Sequence, residues 1–147
     1  MPRLAELLWA APKREALVTD CAQLIERHVA GRKGLKGIGL KTSFALLKSL
    51  RPNAVARAVQ VLLPEFAEAL DPLYQESTRA GRRDFSRFLQ QESERAAAAL
   101  LSVTDARVQR SSNTTLKSVY ARMRGSAESE VLAVLPALAD LLQSRMG

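Results

Sequence analysis

The sequence predicts an all-α protein: a compact single-domain bundle of about seven or eight short helices spanning residues 1–147. Three observations carry this reading. Apolar residues recur at three- and four-residue spacing in almost every segment, which is the helical period. No stretch alternates apolar and polar residues as a strand does. The periodic segments are separated by Pro, Gly, Asn or Asp at intervals that leave only short connections.

The elements follow in order. "RLAELLWA" is a short first helix ending before Pro12, and Pro12 suits the first turn of the second, where its missing N–H is not needed. That second helix, "PKREALVTDCAQLIERHVA", carries Leu17, Cys21, Leu24 and His28 on one stripe, flanked by Val18, Ile25 and Val29. "LKTSFALLKSL" forms a third, stopped at Arg51 because Pro52 disfavours helical geometry in the residue before it. Asn53 is placed to cap "AVARAVQVLL". Pro64 and Pro72 are expected to divide "LLPEFAEALDPLYQES" into short rods or kinked pieces. Gly81 and Asp84 mark the next break, with Asp84 capping "FSRFLQQ". The alanine run of "ERAAAALLSVTDARV" is a strong helix former. "QRSSN" reads as a turn and "TTLKSVYARMR" as a helix stopped by Gly125. Ser126 is then expected to cap a last helix with Val131, Leu135, Leu138 and Leu142 on one face and Pro136 as a kink.

Composition narrows the function classes. A chain of 147 residues, 47% hydrophobic and 25% charged, has the make-up of a globular domain with one core. Cys21 is the single cysteine, so no internal disulfide forms. Glu6 interrupts the short apolar run at the start, and no run approaches the ~20 apolar residues of a membrane span. The chain therefore reads as cytoplasmic, and in that setting the glycosylation-type triplet at Asn113 is a coincidence.

The formal charge of +7 is local rather than diffuse. No acid lies between Glu26 and Glu65, an interval holding Arg27, Arg32, Lys33, Lys36, Lys41, Lys48, Arg51 and Arg57. A second acid-free interval, from Asp105 to Glu128, holds Arg107, Arg110, Lys117, Arg122 and Arg124. Acids gather instead at Glu65, Glu68, Asp71 and Glu76, read here as N-terminal dipole partners on a helix beginning at Pro64 and as balance for the basic faces. Such asymmetry is the electrostatic footprint of an anionic partner, although a solvated basic face produces the same pattern.

Within the first interval, "LKGIGLKTSFALL" resembles the helix-hairpin-helix motif of DNA repair and recombination proteins. Gly37, Ile38 and Gly39 take the place of its turn, Leu35 that of its apolar anchor, and Lys41 and Thr42 that of the first helical turn. The resemblance implies contact with a DNA backbone: glycines let the main chain approach a phosphate, the helix N-terminus offers free N–H groups, and Lys36 and Lys41 add charge. The chain departs from the motif in having Ser43 for alanine, Gly31 and Gly34 within the preceding helix, and Arg32 at an apolar position. The same segment also reads as an amphipathic helix. Leu40, Phe44 and Leu47 share a face, with Ile38, Leu46 and Leu50 near it, and Lys41 and Lys48 lie opposite. Such a stripe suits either an anionic membrane surface or a core helix with a basic outer face.

Catalytic constellations do not emerge. His28 lies on an apolar stripe, where a buried, hydrogen-bonded histidine is the simpler reading, and Cys21 sits two turns away, about 11 Å along the axis. No histidine–cysteine metal cluster, Walker loop, nucleophile elbow or dinucleotide fingerprint appears. Of the aromatics, only Tyr120, between Lys117 and Arg122, is placed among basic residues as a stacking platform requires, and half-packing on the core with its hydroxyl exposed is the alternative.

Across "LAELL", "LLPEFAEALDPLY" and "LLSVTDARVQRSSNTTLKSVYARMRG" the chain resembles a family of small bacterial proteins of about this length with no assigned activity. That resemblance implies a small helical protein and carries over no functional residues. The expectation is a non-enzymatic helical binding module without cofactor or metal. Its basic face, comprising Arg32, Lys33, Lys36, Gly37, Gly39, Lys41, Lys48, Arg51 and Arg57, would meet an acidic macromolecular partner, protein or nucleic acid.

Overall fold

The computed structural model describes residues 3–9, 13–32, 41–42, 44–46, 48–49, 53–81 and 84–146, with Lys13 described for its backbone alone. Six helices are continuous: α1 Leu4–Leu8, α2 Lys13–Gly31, α3 Ala54–Arg79, α4 Phe85–Gln91, α5 Ser93–Arg110 and α6 Thr114–Arg145. The described residues between 41 and 49 are helical as well, and no described residue is in a strand. One hydrophobic cluster draws on all six helices, including Leu4 and Leu8, Leu17 and Cys21, Leu63 and Leu70, Phe85 and Leu89, Ala96 and Leu100, and Leu135 and Leu142. The chain is therefore a compact helical domain, as its periodicity predicts.

Two helices are far longer than the expected short rods. α3 runs 26 residues straight through Pro64 and Pro72. The prolines stand eight residues apart and so fall on one face, together with Arg57, Val61, Glu68 and Arg79. That face points outward: Gln60 and Glu68, whose carbonyls lose a helical N–H partner to the prolines, are exposed, so water replaces the missing bonds. On the opposite face Val59, Leu63, Ala67, Leu70, Leu73 and Ser77 are buried along nearly the whole length. Continuous burial on one side outweighs two lost hydrogen bonds on the other. At its start Asn53 has left-handed backbone geometry (φ 57°), and its side chain makes no cap, contrary to the sequence expectation. At its end Gly81, with φ 72°, supplies the left-handed turn.

The expected break at Gly125 and the Ser126 cap are also absent, because α6 is one helix of 32 residues containing Gly125 and Pro136. The Ser126 hydroxyl donates to the carbonyl of Met123 within the helix. Val119, Leu135, Ala139 and Leu142 are buried on this helix, so packing overrides the low helix propensity of one glycine. A Cβ on Gly125 would meet nothing within 4 Å. Gly125→Ala is accordingly expected to raise unfolding free energy by about 1 kcal/mol, measured by urea denaturation.

Of two further caps, the one at Asp84 follows the sequence expectation and the one at Asn113 is new. Asp84 Oδ1 accepts from the Arg87 amide at 3.0 Å and opens α4. Asn113 Oδ1 accepts from the Leu116 amide at 3.0 Å, so the residue that mimics a glycosylation acceptor is the N-cap of α6.

Candidate nucleic-acid or acidic-partner interface

Of the basic face read from sequence, Lys33, Lys36, Gly37, Gly39 and Arg51 lie outside the described residues, as does the glycine turn itself. The four that are described do not behave alike. Lys41 and Arg57 are exposed, and neither has an acidic partner among the described residues. Lys48 Nζ pairs with Glu26 at 2.6 Å. Arg32 turns inward. Its Nε stands 2.6 Å from Glu130 Oε1, and His28 Nε2 stands 3.5 Å from the other oxygen of the same carboxylate. Arg32 and Glu130 stand at an ion-pair separation, and neither contact meets hydrogen-bond geometry. Glu130 keeps only 12% of its side chain exposed and Arg32 33%. The expectation of a hydrogen-bonded His28 is therefore corrected: the imidazole contacts a carboxylate 102 positions along the chain. Arg32 belongs to a clamp between the end of α2 and the middle of α6 and does not offer a freely solvated charge.

Near this clamp, Glu26, Val29, Ala30, Lys41, Phe44, Ala45 and Lys48 line an open groove of about 350 Å³ between α2 and the 41–49 stretch. Phe44 is half-buried there, whereas Leu46 is 38% exposed. The described part of the amphipathic stripe thus packs inward at Phe44 and faces solvent at Leu46. Val61, one turn beyond Arg57 on α3, is 50% exposed.

The acids gathered along α3 hold neighbouring helices. Since α3 begins at Ala54 and not at Pro64, Glu65, Glu68 and Asp71 sit in mid-helix and Glu76 in the last turn, so none is an N-terminal dipole partner. Glu65 accepts from Arg107 Nε at 2.8 Å, with Arg110 beside it at 4.0 Å. Glu76 takes Arg95 in a two-point contact, at 3.1 and 2.5 Å. Glu68 pairs with Arg3, and Asp71 Oδ1 accepts from the Leu4 amide at 2.8 Å. The first two tie α3 to α5 and the last two dock α1.

The second acid-free interval contains the other polar centre. On α5, Asp105 Oδ1 accepts from the Tyr120 hydroxyl at 2.5 Å and from Arg124 Nε at 2.8 Å, while Oδ2 takes an Arg124 Nη at 3.1 Å. Thr104 Oγ1 lies 2.8 Å from the same hydroxyl. Tyr120 is half-buried and its hydroxyl is engaged by Asp105 and Thr104, so it is not a free stacking platform. Burial and the bond to Asp105 push the phenol above its ordinary pKa. Arg124, then Tyr120, hold the Asp105 carboxyl below the usual range. Arg107 does the same to Glu65, and Arg95 to Glu76. Burial pushes the Cys21 thiol up to about 11, leaving it a protonated, unreactive core residue.

These shifts give stability a defined pH dependence. A carboxylate whose folded pKa lies below its unfolded value contributes stability fully above the unfolded pKa of about 4, and loses it as pH falls through the folded value. Urea midpoints are expected to stay level down to about pH 5 and to decline below it. In Asp105→Asn the decline should be shallower.

Asp105, Glu130 and Asn113 escaped the sequence reading as functional or structural partners. Asn113 had a usable signal, standing just before a helix with its side chain free to cap. Glu130 had none, since only the packing of α2 on α6 brings it to Arg32. Among the described residues no group of three or more His, Cys, Asp and Glu side chains is placed to hold a metal ion, and no helix is long and apolar enough to cross a membrane.

Among the described residues, fold and surface define a helical protein with carboxylates largely engaged in interhelical contacts and with surface cations that have no acidic partner. The chain belongs to a family of unknown function, DUF6918, whose model matches residues 4–146. No curated protein and no solved structure matches it.

Proposed function

We propose that this chain is a cytoplasmic, non-catalytic interaction module whose unpaired cations meet an acidic protein partner. One observation supports this above others: Glu26, Glu65, Glu68, Glu76, Asp105 and Glu130 are engaged in ion pairs within the fold, whereas Lys41, Arg57, Lys117 and Arg122 have no acidic partner among the described residues; Glu6, Glu15, Glu94 and Glu128 are exposed carboxylates outside those pairs. The net charge of +7 keeps cations in excess. Exposed Leu46 and Val61, close in sequence to Lys48 and Arg57, give a mixed apolar and basic surface of the kind that suits a protein more than a phosphate backbone. A lone buried cysteine accords with a reducing compartment.

Fluorescence anisotropy with labelled polyglutamate and a labelled DNA duplex, run in parallel at low salt, tests the proposal. The reading expects polyglutamate to bind, and the exposed-site variant Lys41→Glu/Arg57→Glu to bind roughly tenfold more weakly while keeping its circular dichroism spectrum. Tight duplex binding without polyglutamate binding would replace it with a backbone-contacting function through Lys41 and the glycine turn.

A further inference from the structure

The α5–α6 hairpin carries a groove separate from the one beside Lys41. It is an open surface groove of about 390 Å³ lined by Asp105, Val108, Gln109, Lys117, Tyr120, Ala121 and Arg124. Helical spacing builds both walls. Asp105, Val108 and Gln109 share a face of α5, and Lys117, Tyr120, Ala121 and Arg124 share a face of α6. We propose that this groove anchors one side-chain carboxylate of an acidic peptide segment together with an apolar neighbour. The proposal rests on the acidic-partner reading and adds to it a contact point apart from the Lys41 and Arg57 surface.

Charge and geometry carry the argument. Arg124 is held through Nε and one Nη by Asp105, which is itself fixed by Tyr120, so the guanidinium is oriented before any ligand arrives. The other Nη has no acceptor among the described residues. Lys117 is exposed, likewise unpaired, and lies two turns along the same face. The lining holds two cations and one carboxylate, a single positive charge, with Glu128 acting on Arg124 from outside it; that charge suits one carboxylate better than a run of phosphates. Asp105 would repel a continuous phosphate backbone, and Tyr120 is not free to stack on bases. Val108 and Ala121 supply the apolar floor, and the Gln109 amide a further hydrogen-bonding group.

The test uses the full chain and a short fluorescein-labelled peptide of Glu-Leu-Ser repeats, with its glutamine counterpart as control. Binding of the glutamate peptide is expected to weaken roughly tenfold in the glutamine peptide and in Lys117→Glu, to be kept in Lys117→Arg, and to change less than about twofold in Lys41→Glu. Amide shift changes on titration should concentrate in residues 105–124. Lys117 is exposed, so loss of fold in Lys117→Glu is not expected, and circular dichroism checks it. Binding lost in Lys41→Glu but kept in Lys117→Glu would overturn the groove proposal while leaving the acidic-partner reading standing. Absence of binding by both this peptide and polyglutamate would overturn both.

Discussion

Phe85→Ala is expected to cost about 4 kcal/mol of unfolding free energy, the largest single-residue loss we anticipate. The ring is 1% exposed and joins the core cluster at the first residue of α4. It packs edge-on against Tyr74 of α3, with centroids 5.4 Å apart and planes at 87°, an arrangement that adds to simple burial. Removing it opens a cavity where α4 packs on α3, and α4 is too short at seven residues to reposition on its own propensity. Urea denaturation would show the loss as a lower midpoint at unchanged slope. A cost below about 1 kcal/mol would mean that the site collapses around the missing ring and that α4 is not pinned there.

Glu130→Gln comes next, at about 2–3 kcal/mol. The substitution keeps the shape of the side chain but removes the charge facing Arg32 and His28. A buried pair broken from one side leaves an uncompensated charge, and the usual 3–5 kcal/mol is reduced here because Arg32 retains 33% exposure. Replacing the whole group, as in His28→Leu/Arg32→Met/Glu130→Leu, should restore most of the loss, since no stranded charge remains. Urea denaturation of both variants separates a clamp from a generally important position: equal losses in the two would point to packing, not to charge.

How much of this was legible beforehand depends on distance along the chain. The α2 stripe of Leu17, Cys21, Leu24 and His28, with Val18, Ile25 and Val29 alongside, was readable because helical periodicity is local: Leu17, Cys21 and Val29 are buried and the other four half-buried. Asp84 was readable because a cap acts within three residues. Pro64, Pro72 and Gly125 misled, because their local cost is set against burial contributed by other helices, and no window of sequence contains that term. The site divided the same way. Lys41 and Arg57 are exposed as their acid-free interval suggested, whereas Arg32 and Lys48 are paired, one of them with a residue from the opposite half of the chain. Charge runs report which residues are basic, but only the packed fold reports which basic residues remain unpaired.

The salt dependence of wild-type binding to labelled polyglutamate decides whether the surface cations of this helical domain bind an acidic partner. The account predicts binding at low ionic strength that weakens steadily as salt shortens the screening length toward about 8 Å at physiological strength, with Lys41→Glu/Arg57→Glu showing a shallower dependence. No binding at low salt, or binding indifferent to salt and to both substitutions, would contradict it.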